Sequence, residues 1–378
     1  YVTTGTFSLE EELALMSNLD LMIAMDSSNM HMAALVGTKV ISIWGGTDRV
    51  TGFGAWMQPD EHFFSVPLDE LTCRPCTIYG KGECRRGDLA CMNGITGKVI
   101  WTYKASELHK GTYGSWGIAE SLLIDGNKVY YSPGGPETMT IALNKANGEL
   151  IWKTESLNVP ASYSSPVLID YTDYKLLVNV SPIFVFGVDV TDGTIVWKIN
   201  HHQALGKSND GDDGQILCVT PVFNNNAIFV TGGYNHGGLL IELSENGRQA
   251  SVKWTNTDFD VHHGGVVLVD GYIYGANWLN NGNGNWCCVD WNTGKMMWEE
   301  HWKCKGSIIA ADGLLYVYDE KRGYVGLVRP NPEKFDLISS FKVSQGSGQH
   351  WAHPVINNGN LYIRHGNALM VYDIKKRV

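Results

Sequence analysis

From about residue 97 onward, short runs of alternating apolar and polar residues are broken by Asp-Gly or Asn-Gly, a pattern of strands joined by tight hairpins. One cassette recurs. An apolar strand meets Asp-Gly or Asn-Gly, a strand with Tyr follows, and a short strand ends in Asn or Asp. Thr-Gly or Asn-Gly then leads into a strand ending in Trp. The clearest copy runs Leu122-Leu-Ile-Asp-Gly-Asn-Lys-Val-Tyr130, Thr140-Ile-Ala-Leu-Asn144 and Asn147-Gly-Glu-Leu-Ile-Trp152. Others end at Trp197 and Trp298, with weaker copies at Trp254 and at Phe341, where Phe replaces Trp. Counted from Trp101, the intervals are 51, 45, 57, 44 and 43 residues. That is the length of a four-stranded propeller blade. Gly accepts the positive φ of the turns, alternation turns one face of each strand into a core, and the closing Trp plugs the space between neighbouring blades.

Five full cassettes lie between Trp101 and Phe341. The tail supplies three more strands, around His353-Pro-Val-Ile, Leu361-Tyr-Ile and Leu369-Met-Val-Tyr-Asp373, but no Trp strand. Gly97-Lys-Val-Ile-Trp101 supplies a Trp strand without the other three. Pairing the two would close a ring of about six blades and remove exposed edges. The expectation is an all-β propeller over residues 93–378.

Residues 1–92 follow a different grammar. Ser8 with Glu11 forms a capping box that starts a helix, Leu19 to Met25 reads as a buried strand, His31 to Val36 as a helix and Lys39 to Trp44 as a second strand. Strand, helix and strand in so short a span predict a βαβ unit with a parallel sheet, a small incomplete Rossmann-like segment ahead of the propeller. The turn Asp26-Ser-Ser-Asn-Met-His31 lies at the carboxyl end of the first strand, where open α/β sheets bind ligands.

Composition narrows the function. Charged residues make up 18% of the chain, with 43 Gly, 13 Trp and 17 Tyr, which suits many short strands. A formal net charge of −10 argues against a nucleic-acid partner, and the basic run Lys375-Lys-Arg377 reads as a solvated end. No run of about 18 apolar residues encodes a membrane span. The chain shows no signal peptide or initiator Met and opens in mid-pattern, as a fragment would.

Residues crowding one end of the propeller channel, just before the innermost strands, form a candidate funnel: Trp116, Tyr163, His262, His263, His350, Trp351 and His353. Their rings could stack on a glycan or grip a small molecule, a protein segment or a metal, or could serve as turn and packing residues.

The cassettes resemble the pyrroloquinoline-quinone-like (PQQ-like) propeller repeat. The carriers are Asn93-Gly-Ile-Thr-Gly-Lys-Val-Ile-Trp101, Ala142-Leu-Asn144, Thr191-Asp-Gly-Thr-Ile-Val-Trp197 and Val289-Asp-Trp-Asn-Thr-Gly-Lys295. The resemblance implies a six-bladed or larger propeller of the quinoprotein-like superfamily. Some relatives are quinone-dependent dehydrogenases and others are scaffolds without cofactor. Cys287-Cys288 suggests the vicinal disulfide of the dehydrogenases, yet it sits in Asn285-Trp-Cys-Cys-Val-Asp290, where other cassettes have Ile-Ala-Leu-Asn, an ordinary strand position, so packing is the expectation. No calcium ligand set or carboxylate base stands out, and PQQ is not expected. A non-catalytic binding propeller is the leading reading, with the dehydrogenase as an alternative.

Residues 1–92 resemble the C-terminal part of family 9 glycosyltransferases, the heptosyltransferase-like enzymes, and hence half of a GT-B donor domain. The resemblance implies that Asp26, Ser27, Ser28 and His31 contact a nucleotide-diphosphate sugar, with Gly45, Gly46 and Thr47 in the loop after the next strand. Ser28 replaces the more usual Gly. Cys73, Cys76, Cys84 and Cys91 are close to a cysteine-rich tail of such enzymes. Four thiolates could close a tetrahedral zinc site, with disulfides or free thiols as alternatives. An acceptor domain and the first half of the donor domain are missing, so no sugar transfer is expected, although transfer from a nucleotide-diphosphate donor remains the enzymatic alternative. The segment around Cys91-Met-Asn93 fits both families with no linker between them, and the two parts imply different compartments, cytoplasmic for the first and exported or periplasmic for the second. A chimeric or truncated chain is the resulting hypothesis.

Overall fold

In a computed structural model, the described residues are 9–25, 27–52, 54–76, 84, 86–93, 100–207, 216–357 and 359–375. The chain divides into two compact units, residues 1–99 and 100–378.

The first unit is α/β. Helix α1 (Leu9–Ser17) leads to strand β1 (Met22–Met25), helix α2 (Ser28–Leu35), strand β2 (Val40–Trp44) and a short strand β3 (Phe63–Ser65). The strands lie in the order β1-β2-β3, all parallel, with Met22 opposite Val40 and Ser42 opposite Phe63. The expected βαβ unit is present, and β3 adds a strand that no alternation announced. Met30, Ala33 and Ala34 of α2 pack with Val40 and Trp44. Ile23 and Met25 on the edge strand stay exposed, whereas parallel sheets ordinarily bury both faces.

The second unit is a propeller of antiparallel meanders. Blades I (123–153), II (167–200), III (222–256), IV (261–300) and V (306–342) each have four strands in chain order, and blade VI (355–373) has three. Successive side chains on each strand face opposite neighbours. In the third strand of blade II, Val185 joins the core shared with blade III, while Phe186 and Val188 join the core shared with blade I. Such two-sided burial explains why the strands read as apolar runs.

One contact repeats between blades. The indole N–H groups of Trp101, Trp152, Trp197, Trp254 and Trp298 donate to the carbonyl oxygens of Lys145 (2.8 Å), Val190 (2.9 Å), Gly247 (3.0 Å), Trp291 (2.9 Å) and Asn331 (2.7 Å). Each acceptor lies in the blade that follows. Gly148 and Gly193 have φ of +74° and +83°, and a Cβ there would come within 2.7 Å of the Trp101 or Trp152 ring. Phe341 lacks the donor and packs on Tyr372 of blade VI instead.

Closure differs from expectation. Residues 100–104 form no strand and do not pair with blade VI, while 97–99 lie outside the described residues. Trp101 nonetheless latches onto blade I, and a short helix begins at Ala105 immediately afterwards. The ring contact of an outermost strand is therefore made at Trp101 without its backbone ladder.

Cys287 and Cys288 point to opposite sides of blade IV, Cys287 into the core shared with blade III and Cys288 into that shared with blade V. Both thiols are free and buried, and burial raises both, Cys288 to about 12. Bridging them would break the pleat of the strand.

Replacing Trp152 by Ala is expected to destabilise the protein by roughly 3–5 kcal/mol, because it leaves a cavity between blades I and II. Replacement by Phe, which removes chiefly the N–H donor to Val190, is expected to cost about 1 kcal/mol. Urea unfolding of the two variants measures the difference.

Candidate functional site

In a meander, the start of the first strand and the turn between the second and third strands return to the same end of the sheet. Latching the blades side by side gathers these segments at one end of the propeller. There they line a cavity of about 750 Å³ bounded by Trp116, Tyr163, Tyr234, His262, His263, Asn281, Lys305, Glu320 and Trp351, among others. Five of the funnel residues named from sequence meet here. His350 does not: it is buried, bonds Tyr318 Oη through Nδ1 and stacks on His365 at 3.6 Å. His353 is exposed, and its Nε2 donates to the carbonyl of His263 at 2.8 Å.

A chain of rings runs from Trp278, outside the lining, into one wall of the cavity. Trp278 stacks on Tyr234 (4.8 Å), Tyr234 meets His262 edge-on (5.1 Å), His262 meets His263 (4.6 Å) and His263 meets Trp351 (5.5 Å). On the other side, the Tyr163 hydroxyl accepts from the amide of Trp116 at 3.2 Å. Trp116 and Trp351 are 77% and 54% exposed, so the rim presents two open indoles.

The floor is ionic. Lys305 Nζ lies 2.5 Å from Glu320 Oε1, both side chains being buried, and Lys305 also donates to the carbonyl of Asn281. His263 Nε2 is 3.2 Å from Glu320 Oε2, close but outside hydrogen-bond alignment. Burial alone would raise the Glu320 carboxyl, but His263 and Lys305 outweigh it and hold the group below its ordinary value. Burial, reinforced by His263 and Lys305, pushes His262 down to about 4. His262 is then neutral at pH 7, and one Nδ1 of the His262–His263 pair donates to the other at 2.9 Å.

Sequence reasoning missed Tyr234, Asn281, Lys305 and Glu320. Three of these sit in turns between second and third strands, so following those turns as well as the first-strand starts would have found them.

In the first unit the parallel strands β1 and β2 end side by side, Met25 opposite Ile43, so the segments holding residues 27–31 and 45–47 leave the same edge of the sheet. Asp26 lies outside the described residues. Ser27 caps α2 without a side-chain hydrogen bond, Ser28 is exposed and His31 is half-buried on α2. The loop Gly45-Gly46-Thr47 is gripped from within. Buried Arg74 donates to the carbonyls of Gly45 (2.6 Å) and Thr47 (2.9 Å) and pairs with Asp48 at 3.0 Å. Met92 fills the space beside Gly45 so closely that a Cβ there would lie 2.2 Å from its sulfur. No disulfide joins Cys73, Cys76, Cys84 and Cys91. Burial raises Cys76, to which Cys73 and Cys91 add, whereas backbone amides of Leu89 and Arg86 lower Cys84. No helix among the described residues is long and apolar enough to cross a membrane.

Comparison with known proteins gives two matches that meet end to end. The PQQ_2 family, described as outer membrane protein assembly factor BamB, matches residues 79–300. Glycosyltransferase family 9 (heptosyltransferase) matches residues 3–77. The outer membrane protein assembly factor BamB of Moranella endobia (strain PCIT) is 22% identical over 285 residues, covering 74% of this chain and 68% of that protein. That of Yersinia pestis is 23% identical over 248 residues, covering 64% and 59%. Among solved structures, BamB from Moraxella catarrhalis aligns at 16% identity over 66% of this chain and 70% of that one, with a TM-score of 0.48. Quinohemoprotein alcohol dehydrogenase from Comamonas testosteroni aligns at 12% identity over 70% and 53%, with a TM-score of 0.46.

Lys305→Met would leave the buried Glu320 without its cation and is expected to cost roughly 3–5 kcal/mol at pH 7 by urea titration. Glu320 titrates below its unfolded value of about 4.5, so the pair's stabilisation is complete above that pH and fades as pH falls through the lower folded value. Glu320→Gln is expected to flatten this acid limb of the stability profile.

Proposed function

We propose that this chain, which belongs to the outer membrane protein assembly factor BamB family, uses its propeller cavity to hold an extended segment of a protein partner in an assembly complex, without catalysing a reaction on it. The observation that carries this reading is the pairing of two open indoles, Trp116 and Trp351, with a floor whose charges are already neutralised by each other. Exposed Trp and Tyr over a concave surface are the side chains that dominate protein recognition, since each removes a large apolar area from water on binding. A cavity of about 750 Å³ accepts a few side chains rather than a folded domain. The acid and base groups of the site are tied to one another: Glu320 to Lys305 and His263, and His262 to His263. That arrangement favours binding over proton transfer. The relatives from Moranella endobia and Yersinia pestis are outer membrane protein assembly factors, which is why a protein segment is preferred here over a glycan or a quinone.

The first unit is read as a glycosyltransferase remnant. Arg74 and Met92 occupy the loop where a donor diphosphate would have to approach Gly45.

The test is fluorescence anisotropy of the full chain with labelled overlapping peptides drawn from an outer-membrane protein assembly complex. Trp116→Ala and Trp351→Ala are expected to weaken the best peptide roughly tenfold or more while leaving thermal stability unchanged, since both rings are exposed. Binding indifferent to both substitutions would sink the proposal. So would thermal stabilisation by a nucleotide-diphosphate sugar, or by quinone with calcium, in the absence of any peptide binding.

A further inference from the structure

A second constellation lies outside the cavity. Blade II ends at Asn200, and the helical turn His201–Ala204 that follows presents two adjacent histidines, held by Asn200 Oδ1 accepting from the amide of Gln203 at 2.9 Å. His236 arrives from the turn between the second and third strands of blade III. All three imidazoles are at most 1% exposed. Each offers a ring nitrogen within 4.8 Å of the others, and this is the one such convergence of three or more His, Cys, Asp or Glu groups among the described residues. None of the three lines the cavity.

Backbone carbonyls settle the tautomers of two rings. His201 Nε2 lies 3.0 Å from the Ser181 oxygen, and His236 Nδ1 lies 2.9 Å from the Gly237 oxygen. A carbonyl only accepts, so each of these nitrogens carries the hydrogen. The other nitrogens, Nδ1 of His201 and Nε2 of His236, are therefore lone pairs, and they face each other at 2.7 Å. Two acceptors at that distance repel unless a positive species lies between them. A proton would make one ring an imidazolium inside a site shut off from water, with no carboxylate bonded to either ring. A cation bound by neutral imidazoles satisfies both lone pairs without charging a ring. Ligand histidines characteristically donate their second N–H to a carbonyl in this way.

We propose that His201, His202 and His236 form a three-imidazole site for a divalent transition-metal cation, with zinc as the reference ion and a fourth position for water. Metal–nitrogen bonds of about 2.0–2.1 Å in tetrahedral geometry separate ligand nitrogens by about 3.3 Å, so the His201 and His236 rings must part by roughly half an ångström. Asp260 steadies the approach of His236 as a positioning residue. Its two oxygens accept from the amides of Asn235 (2.7 Å) and Gly237 (2.8 Å), on either side of the histidine. Lys207 is the cation whose charge acts on both His236 and Asp260.

The experiment uses the full chain stripped of metal and titrated with Co²⁺ and, separately, Zn²⁺. Visible Co²⁺ bands without a thiolate charge-transfer band are expected at stoichiometric metal. They should persist in Cys73→Ser/Cys76→Ser and weaken roughly tenfold or more in affinity in His236→Gln or His201→Gln. Zn²⁺ should raise the unfolding temperature of the wild type and of the cysteine variant alike. Should the histidine variants fail to fold, ¹⁵N spectra of the wild-type histidines decide: ligation must shift His201 Nδ1 and His236 Nε2. The proposal is overturned if those nitrogens ignore the metal, if they share an imidazolium proton, or if the only Co²⁺ signal is a thiolate band abolished by the cysteine substitutions.

Discussion

A four-stranded sheet with two apolar faces cannot bury both by itself, and in this propeller the indole reaching into the next blade is what makes burial reciprocal. The ring of Trp152 covers Gly193 while its N–H satisfies the Val190 carbonyl, so one side chain sets both the spacing and the rotation between blades I and II. The contact needs a glycine at positive φ, since any Cβ there would enter the ring. Repeat architectures draw their stability from such nearest-neighbour interfaces rather than from one central core. At blade VI the pattern weakens, with Phe341 packing on Tyr372 and no indole donor.

The position of every functional candidate in the propeller follows from that spacing. Cavity residues from Trp116 to Trp351 lie far apart in the chain and meet only because each meander returns its inner end and its central turn to one face. The buried Lys305–Glu320 pair lies within blade V and its entry, but His263, which touches it, comes from blade IV. The three-histidine cluster likewise spans blades II and III, the pair joined by the Trp197 indole and the Gly247 carbonyl. Rigid strands position the chemistry, and loops carry it.

The first unit obeys separate rules. Its parallel strands and the helix between them follow from the apolar runs at Met22–Met25 and Val40–Trp44. Its loop after β2 is shaped instead by Arg74, about thirty residues on, which no local pattern announces. The two family matches meet at residues 77 and 79, while the compact units divide at residue 99. The stretch around Cys91 and Met92 therefore matches the propeller family in sequence yet packs with the α/β unit, as Met92 against Gly45 shows.

By itself the sequence determined the strands, the hairpin turns, the blade period and the Trp positions. These are encoded locally, in a two-residue alternation and in glycines at positive φ. Five of the seven funnel residues could be placed at the cavity because strand starts are visible in that alternation. Tertiary structure decided which turns meet across blades, and so brought Tyr234, Asn281 and Glu320 to the cavity and turned His350 into a buried partner of Tyr318 and His365. It also left residues 100–104 outside the blade VI ladder and brought His236 against His201. The physical reason is the same in each case. Convergence between side chains depends on how one sheet is rotated against the next, and that rotation is set by packing across interfaces, which no periodicity within a single strand records.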